Sequence, residues 1–180
     1  MCYDVKSYEI EEDSSVNKRT LSLLVDNTPG LLSRVAGLFT RRGYNIVSIS
    51  AGVTTDPKYT RITIVTEGSD DIIEQIVKQL AKLVDVVDIK VFDDATCVSR
   101  ELVLVKVRCE ESQRQYIITM ADVFRGNVVD VGFDSLIIEL TGTQDKVDAF
   151  IRLLRGYEIL ELARTGITSL QRGSDGVRYL

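Results

Sequence analysis

Apolar positions along this chain alternate between a period of two and a period near 3.6, the spacings of strands and amphipathic helices. Residues 19–26 (RTLSLLVD) are rich in branched apolar side chains and predict a strand that ends at the turn-forming Asn27-Thr28-Pro29-Gly30. Leu31, Leu32, Val35, Ala36, Leu38 and Phe39 then share one helical face, so a helix is predicted over 30–42, with Pro29 suited to its first turn and Gly43 to its end. Residues 45–54 and 59–66 predict two strands joined by Thr55-Asp56-Pro57-Lys58 as an antiparallel hairpin. Behind the capping run Gly68-Ser69-Asp70-Asp71, Ile72, Ile73, Ile76, Val77, Leu80 and Leu83 recur at helical spacing, and residues 84–92 close the unit as a strand.

The order βαββαβ then repeats: a strand at 100–108, a helix at 113–124, strands at 127–133 and 135–140, a helix at 144–154 and a strand at 157–165. Two helices per unit can cover only one face of a four-stranded antiparallel sheet, so the expected fold class is α+β, two tandem ferredoxin-like units. The expected organisation is a flexible N-terminal extension over 1–17, a first domain over 18–95, a junction at Asp93-Asp94-Ala95-Thr96, a second domain over 97–172, and a tail over 173–180. Units this small have marginal cores, so they are expected to pack on each other or on a second chain, and the helix-free sheet face invites dimerisation.

Composition removes whole classes of function. The 180 residues contain no histidine, which excludes Ser-His-Asp and Cys-His catalytic sets and His-ligated metals. The net charge of -5 is spread without a basic segment, and nothing favours a nucleic-acid backbone. Cys2, Cys97 and Cys109 form neither a disulfide framework nor a thiolate metal site, which fits a reducing cytoplasm. No apolar run approaches a membrane span, and the acidic start lacks the profile of a signal peptide.

The strand-to-helix turn Asp26-Asn27-Thr28-Pro29-Gly30-Leu31 is the best local candidate for chemistry. Unpaired amides at a helix start attract a carboxylate, Asp26 and Asn27 offer acceptors to an ammonium, and Gly30 admits a ligand close to the backbone, which together suit an amino-acid zwitterion. The competing reading has Asn27 or Thr28 capping the helix while Pro29 and Gly30 shape the turn. Asn45 lies beyond the other end of that helix, about 20 Å from Asn27, so a functional role for it needs another surface nearby, and a symmetric dimer could bring the two positions together. Asp70-Asp71, Asp93-Asp94 and Glu110-Glu111 sit where helices or linkers begin and read as dipole compensation or solvation. No Walker or GxGxxG loop is present, and the third strand lacks the aromatic platform of an RRM.

These residues carry a resemblance. Residues 26–39 (DNTPGLLSRVAGLF) and 41–46 (RRGYNI) closely resemble the ACT domain of the regulatory small subunit of acetolactate (acetohydroxyacid) synthase, and the likeness continues through Phe124-Arg125-Gly126, Leu140-Thr141-Gly142-Thr143 and Ala163-Arg164-Thr165-Gly166 to cover 19–173. The resemblance implies an ACT domain followed by a second ferredoxin-like domain, in a homodimer joined through the ACT sheets. It implies a non-catalytic chain, without cofactor or metal of its own, that activates a separate large subunit. That partner would carry thiamine diphosphate, magnesium and FAD and condense pyruvate with a second 2-oxo acid. Valine or a related branched-chain amino acid would act as feedback inhibitor, bound by Asn27, Pro29, Gly30, Leu31 and Leu32 of one copy and Asn45 and Ile46 of the other. The alternative is a stand-alone ACT-type amino-acid sensor controlling another enzyme or a transcription factor, although residues 1–17 are too short and acidic for a helix-turn-helix.

Overall fold

A computed structural model describes residues 18–93 and 95–174. The extension expected over 1–17, Asp94 of the expected junction and residues 175–180 of the expected tail lie outside the described residues. The first unit comprises β1 (Lys18–Asp26), α1 (Leu31–Arg42), β2 (Ile46–Val53), β3 (Tyr59–Glu67), α2 (Asp70–Leu80) and β4 (Val86–Phe92), with strand order β2-β3-β1-β4. The second comprises β5 (Cys97–Arg108), α3 (Glu111–Val123), β6 (Asn127–Val131), β7 (Ser135–Gly142), α4 (Gln144–Leu153) and β8 (Ile159–Arg164), in the order β6-β7-β5-β8. The pairings are antiparallel throughout, giving the tandem ferredoxin-like α+β architecture that the periodicity predicts.

Period-two alternation decides which side chains each sheet turns toward its helices. Leu21 pairs with Ile64 and Leu23 with Ile62 across β1 and β3, and these four close over Val35 and Phe39 of α1 and Ile76 and Leu80 of α2. Each such aliphatic burial contributes about 1.5–3 kcal/mol. The second core repeats the arrangement with Val103, Val105, Val107, Ile138 and Leu140 under Ile117 and Phe150. α1 stops at Gly43, whose φ of 69° is left-handed, and the Tyr44 amide returns to the Phe39 carbonyl at 3.0 Å. The two rings meet edge to face at 6.1 Å, which fixes where the chain enters β2.

Two expectations are corrected, and a third, that the units pack on each other, is met. β5 begins at Cys97 rather than Arg100, because its first residues pair with a ninth strand, β9 (Thr168–Gln171), that the pattern did not predict. Four residues with a single large apolar side chain give no readable alternation, and the pairing exists only because β5 overruns its own sheet. The Ser99 and Ser169 hydroxyls close this ribbon at 2.7 Å. The helix-free face of the first sheet is also covered: Thr20, Ser22, Leu24, Thr63, Val65 and Phe92 are all buried. β9 lies against β1, Thr168 meets Ser50 hydroxyl to hydroxyl at 3.0 Å, and Lys90 Nζ donates to Gln171 Oε1 at 3.2 Å. The two units therefore pack on each other. Among the described residues no helix is long and apolar enough to cross a membrane.

Candidate functional site

The turn between β1 and α1 is built without the side-chain cap that its Asn and Thr suggest. Asn27 turns away from the helix, its amide nitrogen bonding to the Lys58 carbonyl at 2.7 Å and its Nδ2 to the Pro57 carbonyl at 3.1 Å. Thr28 is equally engaged elsewhere: its hydroxyl donates to Asp85 Oδ1 at 2.8 Å and accepts from Arg34 Nη2 at 2.8 Å. The helix starts one residue later than predicted, at Leu31, and its N-cap is Gly30 in a left-handed conformation (φ 77°) that penalises any side chain. The capping reading of Asn27 and Thr28 is thus corrected, because both side chains brace the turn against the loops before β3 and β4.

The consequence is a helix start left open. The Leu31 amide bonds to the Thr28 carbonyl and the Arg34 amide to the Gly30 carbonyl, leaving those of Leu32 and Ser33 without an acceptor among the described residues. α1 has no acidic residue in its first turn. An anion placed there would meet free amides and the positive end of the helix dipole. Arg34 runs beneath the turn to Asp85 (Nε to Oδ2 and Nη2 to Oδ1, both 2.9 Å) and to the Pro29 carbonyl (3.2 Å). Hydrogen bonds from Thr28 first, and then from Arg34, hold the Asp85 carboxyl below its ordinary pKa.

The predicted effector residues fall into two groups. Asn27, Pro29, Gly30 and Leu32 line the exposed side of the turn, with Leu32 49% exposed, whereas the Leu31 side chain is buried in the first core. Asn45 and Ile46 lie past the far end of α1; Asn45 is exposed, its carbonyl accepts the Thr66 hydroxyl at 2.6 Å, and Ile46 packs half-buried on the core. One copy of the chain does not bring the groups together. Arg34 and Asp85 were missed, because each reads as an ordinary surface charge and they lie 51 positions apart.

Two other features are structural by comparison. Glu101 is 4% exposed and receives Arg164 through Nε and Nη2, both at 2.7 Å, while Arg164 Nη1 reaches Asp148 at 2.8 Å. Glu101 first, with help from Asp148, raises the guanidinium pKa further above its usual range. A cavity of about 510 Å³ lies between these residues and β2, where Ile46, Val47, Ser48 and Ile49 line it. The Ser48 hydroxyl there is shielded and has no partner among the described residues.

A ferredoxin-like unit with an open, glycine-shaped turn at the start of its first helix, followed by a second such unit, is the frame of an ACT-type regulatory protein. Residues 21–88 match the family profile described as AHAS small subunit-like ACT domain, and residues 100–173 match that described as small subunit of acetolactate synthase. A probable acetolactate synthase small subunit of Methanothermobacter thermautotrophicus is 48% identical, over 92% of this chain and 97% of that protein. The acetolactate synthase small subunit of Mycolicibacterium smegmatis is 46% identical, over 88% and 93%. The crystal structure of the Thermotoga maritima small subunit superposes with a TM-score of 0.83 at 42% identity, covering 88% of this chain and 99% of that one. The chain belongs to the acetolactate synthase small-subunit family, as a regulatory subunit with an ACT domain.

Proposed function

We propose that this chain forms a homodimer through its ACT domain, activates the catalytic large subunit of acetolactate synthase, and confers feedback inhibition by valine or a related branched-chain amino acid. One observation carries the reading: β2 is an edge strand, and its two ends lie beside the two halves of the site. β2 runs antiparallel to β3 and β3 to β1, so Val53 and Asp26 share one end of the sheet, where Asn27 also bonds to the β2–β3 loop. Asn45 and Ile46 sit at the other end, separated by the 12 residues of α1, about 18 Å. Antiparallel pairing of two β2 edges across a two-fold axis sets Ile46 of one copy opposite Val53 of the other. Asn45 and Ile46 of one copy then reach the 27–32 turn of the other.

In that dimer the Leu32 and Ser33 amides face the carboxylate of the amino acid, Asn27 and Asn45 supply polar contacts, and Leu32 and Ile46 flank the aliphatic side chain. The first domain spans 18–95 and the second 97–172. The large subunit carries thiamine diphosphate, magnesium and FAD and condenses pyruvate with a second 2-oxo acid, and it loses activity when the effector favours one arrangement of the small-subunit dimer. Calorimetric titration of the protein with valine, leucine and isoleucine tests the reading, beside a Gly30→Asp variant. Saturable binding by the wild type that disappears in the variant is expected; an intact dimer that binds none of the three contradicts it.

A further inference from the structure

The arginine beneath the turn has not used all of its donors. A guanidinium carries five N–H groups. In Arg34, Nε and one Nη2 hydrogen go to Asp85, the second Nη2 hydrogen goes to the Thr28 hydroxyl, and one Nη1 hydrogen goes to the Pro29 carbonyl. The fifth, on Nη1, has no acceptor among the described residues. That nitrogen lies beside Gly30, where a Cβ built on the glycine would come within 3.4 Å of it and, apart from the glycine's chain neighbours, meet nothing else within 4 Å among the described residues. The missing side chain of Gly30 and the spare donor of Arg34 therefore border the same space.

We propose that Arg34 is a specificity-determining residue of the effector site, whose remaining Nη1 hydrogen binds the carboxylate of the amino acid seated over Gly30. The inference rests on the reading of the 27–32 turn as the effector site and assigns that site its cationic contact. Three physical points support it. A cation in the first turn of a helix opposes the helix dipole, so placing Arg34 there has a cost that a structural role alone need not incur. Asp85 offsets that cost and, with Thr28 and Pro29, fixes the guanidinium plane before any ligand arrives, which limits the ordering entropy of binding. Because the Asp85 carboxyl titrates below its ordinary range, the brace stays charged at neutral pH.

The second unit supplies the contrast. Arg114 holds the same position in α3 that Arg34 holds in α1, fourth from the helix start, and its Nη2 donates to the carbonyls of Gly132 and Phe133 at 3.0 and 2.7 Å while its Nε is buried without a partner among the described residues. The turn before α3 has no glycine, and Glu110 and Glu111 occupy the helix start. The two turns therefore differ in their glycine and their acids rather than in the donors left on the arginine, and the glutamates repel a carboxylate from the start of α3.

Titration of the intact protein with valine and with valinamide, at about pH 6 where both amines are protonated, tests the assignment. Wild type is expected to prefer valine. In Arg34→Gln, valine affinity falls about ten- to a hundredfold, the range for a hydrogen bond to a charged group, while valinamide affinity changes little. Arg34→Lys, which keeps the charge and loses the fork, falls between. Valinamide binding by the variants shows that the turn is still formed. Unchanged valine affinity in Arg34→Gln, or loss of valine and valinamide by the same factor, overturns the inference while wild-type binding abolished by Gly30→Asp upholds the effector site. A wild type that binds neither ligand overturns both.

Discussion

The two units share one fold and treat the same turn in opposite ways. In the first, the chain enters α1 through a left-handed glycine, with no side-chain cap, no acid in the first turn, and two amides without an acceptor. In the second, the chain enters α3 through Glu110, whose amide donates to Gln113 Oε1 at 3.2 Å, and Glu111 adds a carboxylate at the helix start. The loops before the last strands repeat the contrast. Asp85, before β4, braces Arg34 under the open turn, whereas Glu158, before β8, pairs with Arg108 on the end of β5. Each helix start has two amides without an acceptor among the described residues, Leu32 and Ser33 in α1 and Glu111 and Ser112 in α3. However, α3 brings its own carboxylates to the positive end of its dipole, whereas α1, with none, is open to an anion from outside. The pairing of fold and function thus belongs to one turn of the tandem repeat.

Gly30→Asp breaks the comparison most severely, because it closes the first turn with a carboxylate as the second is closed. Like-charge juxtaposition costs several kcal/mol, so valine affinity falls by at least about a hundredfold in calorimetry. Arg164→Met probes the part of the second unit where a charged network is buried. It leaves the Glu101 carboxylate unpaired and lowers unfolding stability by about 3 kcal/mol in denaturant titrations, with valine binding by the surviving folded protein unchanged. Gln113→Ala opens the cap of α3, costs about 1 kcal/mol of stability, and creates no effector site, since the second turn still lacks a glycine and keeps Glu110 and Glu111 at the helix start.

The smallest effect concerns Asp85. Its carboxyl titrates lower in the folded chain than in the unfolded one, so it stabilises the fold above the ordinary carboxylate range and loses that contribution as the pH falls through its folded value. Asp85→Asn lacks the contribution at every pH. The gap in melting temperature between wild type and variant is therefore largest near neutrality and closes in acid. A gap that stays constant with pH would mean that Asp85 braces the turn through shape alone.

Much of the fold is legible because local pattern and tertiary burial agree. The alternation in 19–26 places Leu21 and Leu23 inward, and Val35, Leu38 and Phe39 fall on the buried face of α1. β9 is not legible, since Thr168–Gln171 becomes a strand only by pairing with the overrun of β5, a partner some 70 positions away. The open turn is announced by Asn-Thr-Pro-Gly, yet its chemistry is half hidden. Sequence suggests that Asn27 and Thr28 cap α1, while tertiary contacts with Pro57, Lys58 and Asp85 draw both away and leave the helix amides exposed. Arg34 and Asp85 carry no local signal, because an arginine on a helix and an aspartate before a strand are ordinary surface residues until the fold joins them.

The claim that only the first turn receives the effector is tested most directly by residue-resolved amide hydrogen exchange with and without valine. The account predicts slowed exchange at Leu32 and Ser33, with Asn45 and Ile46 responding in the same titration, and no change at Glu111 and Ser112 at the start of α3. Protection at the start of α3, or none at Leu32 and Ser33 under saturating valine, would contradict it.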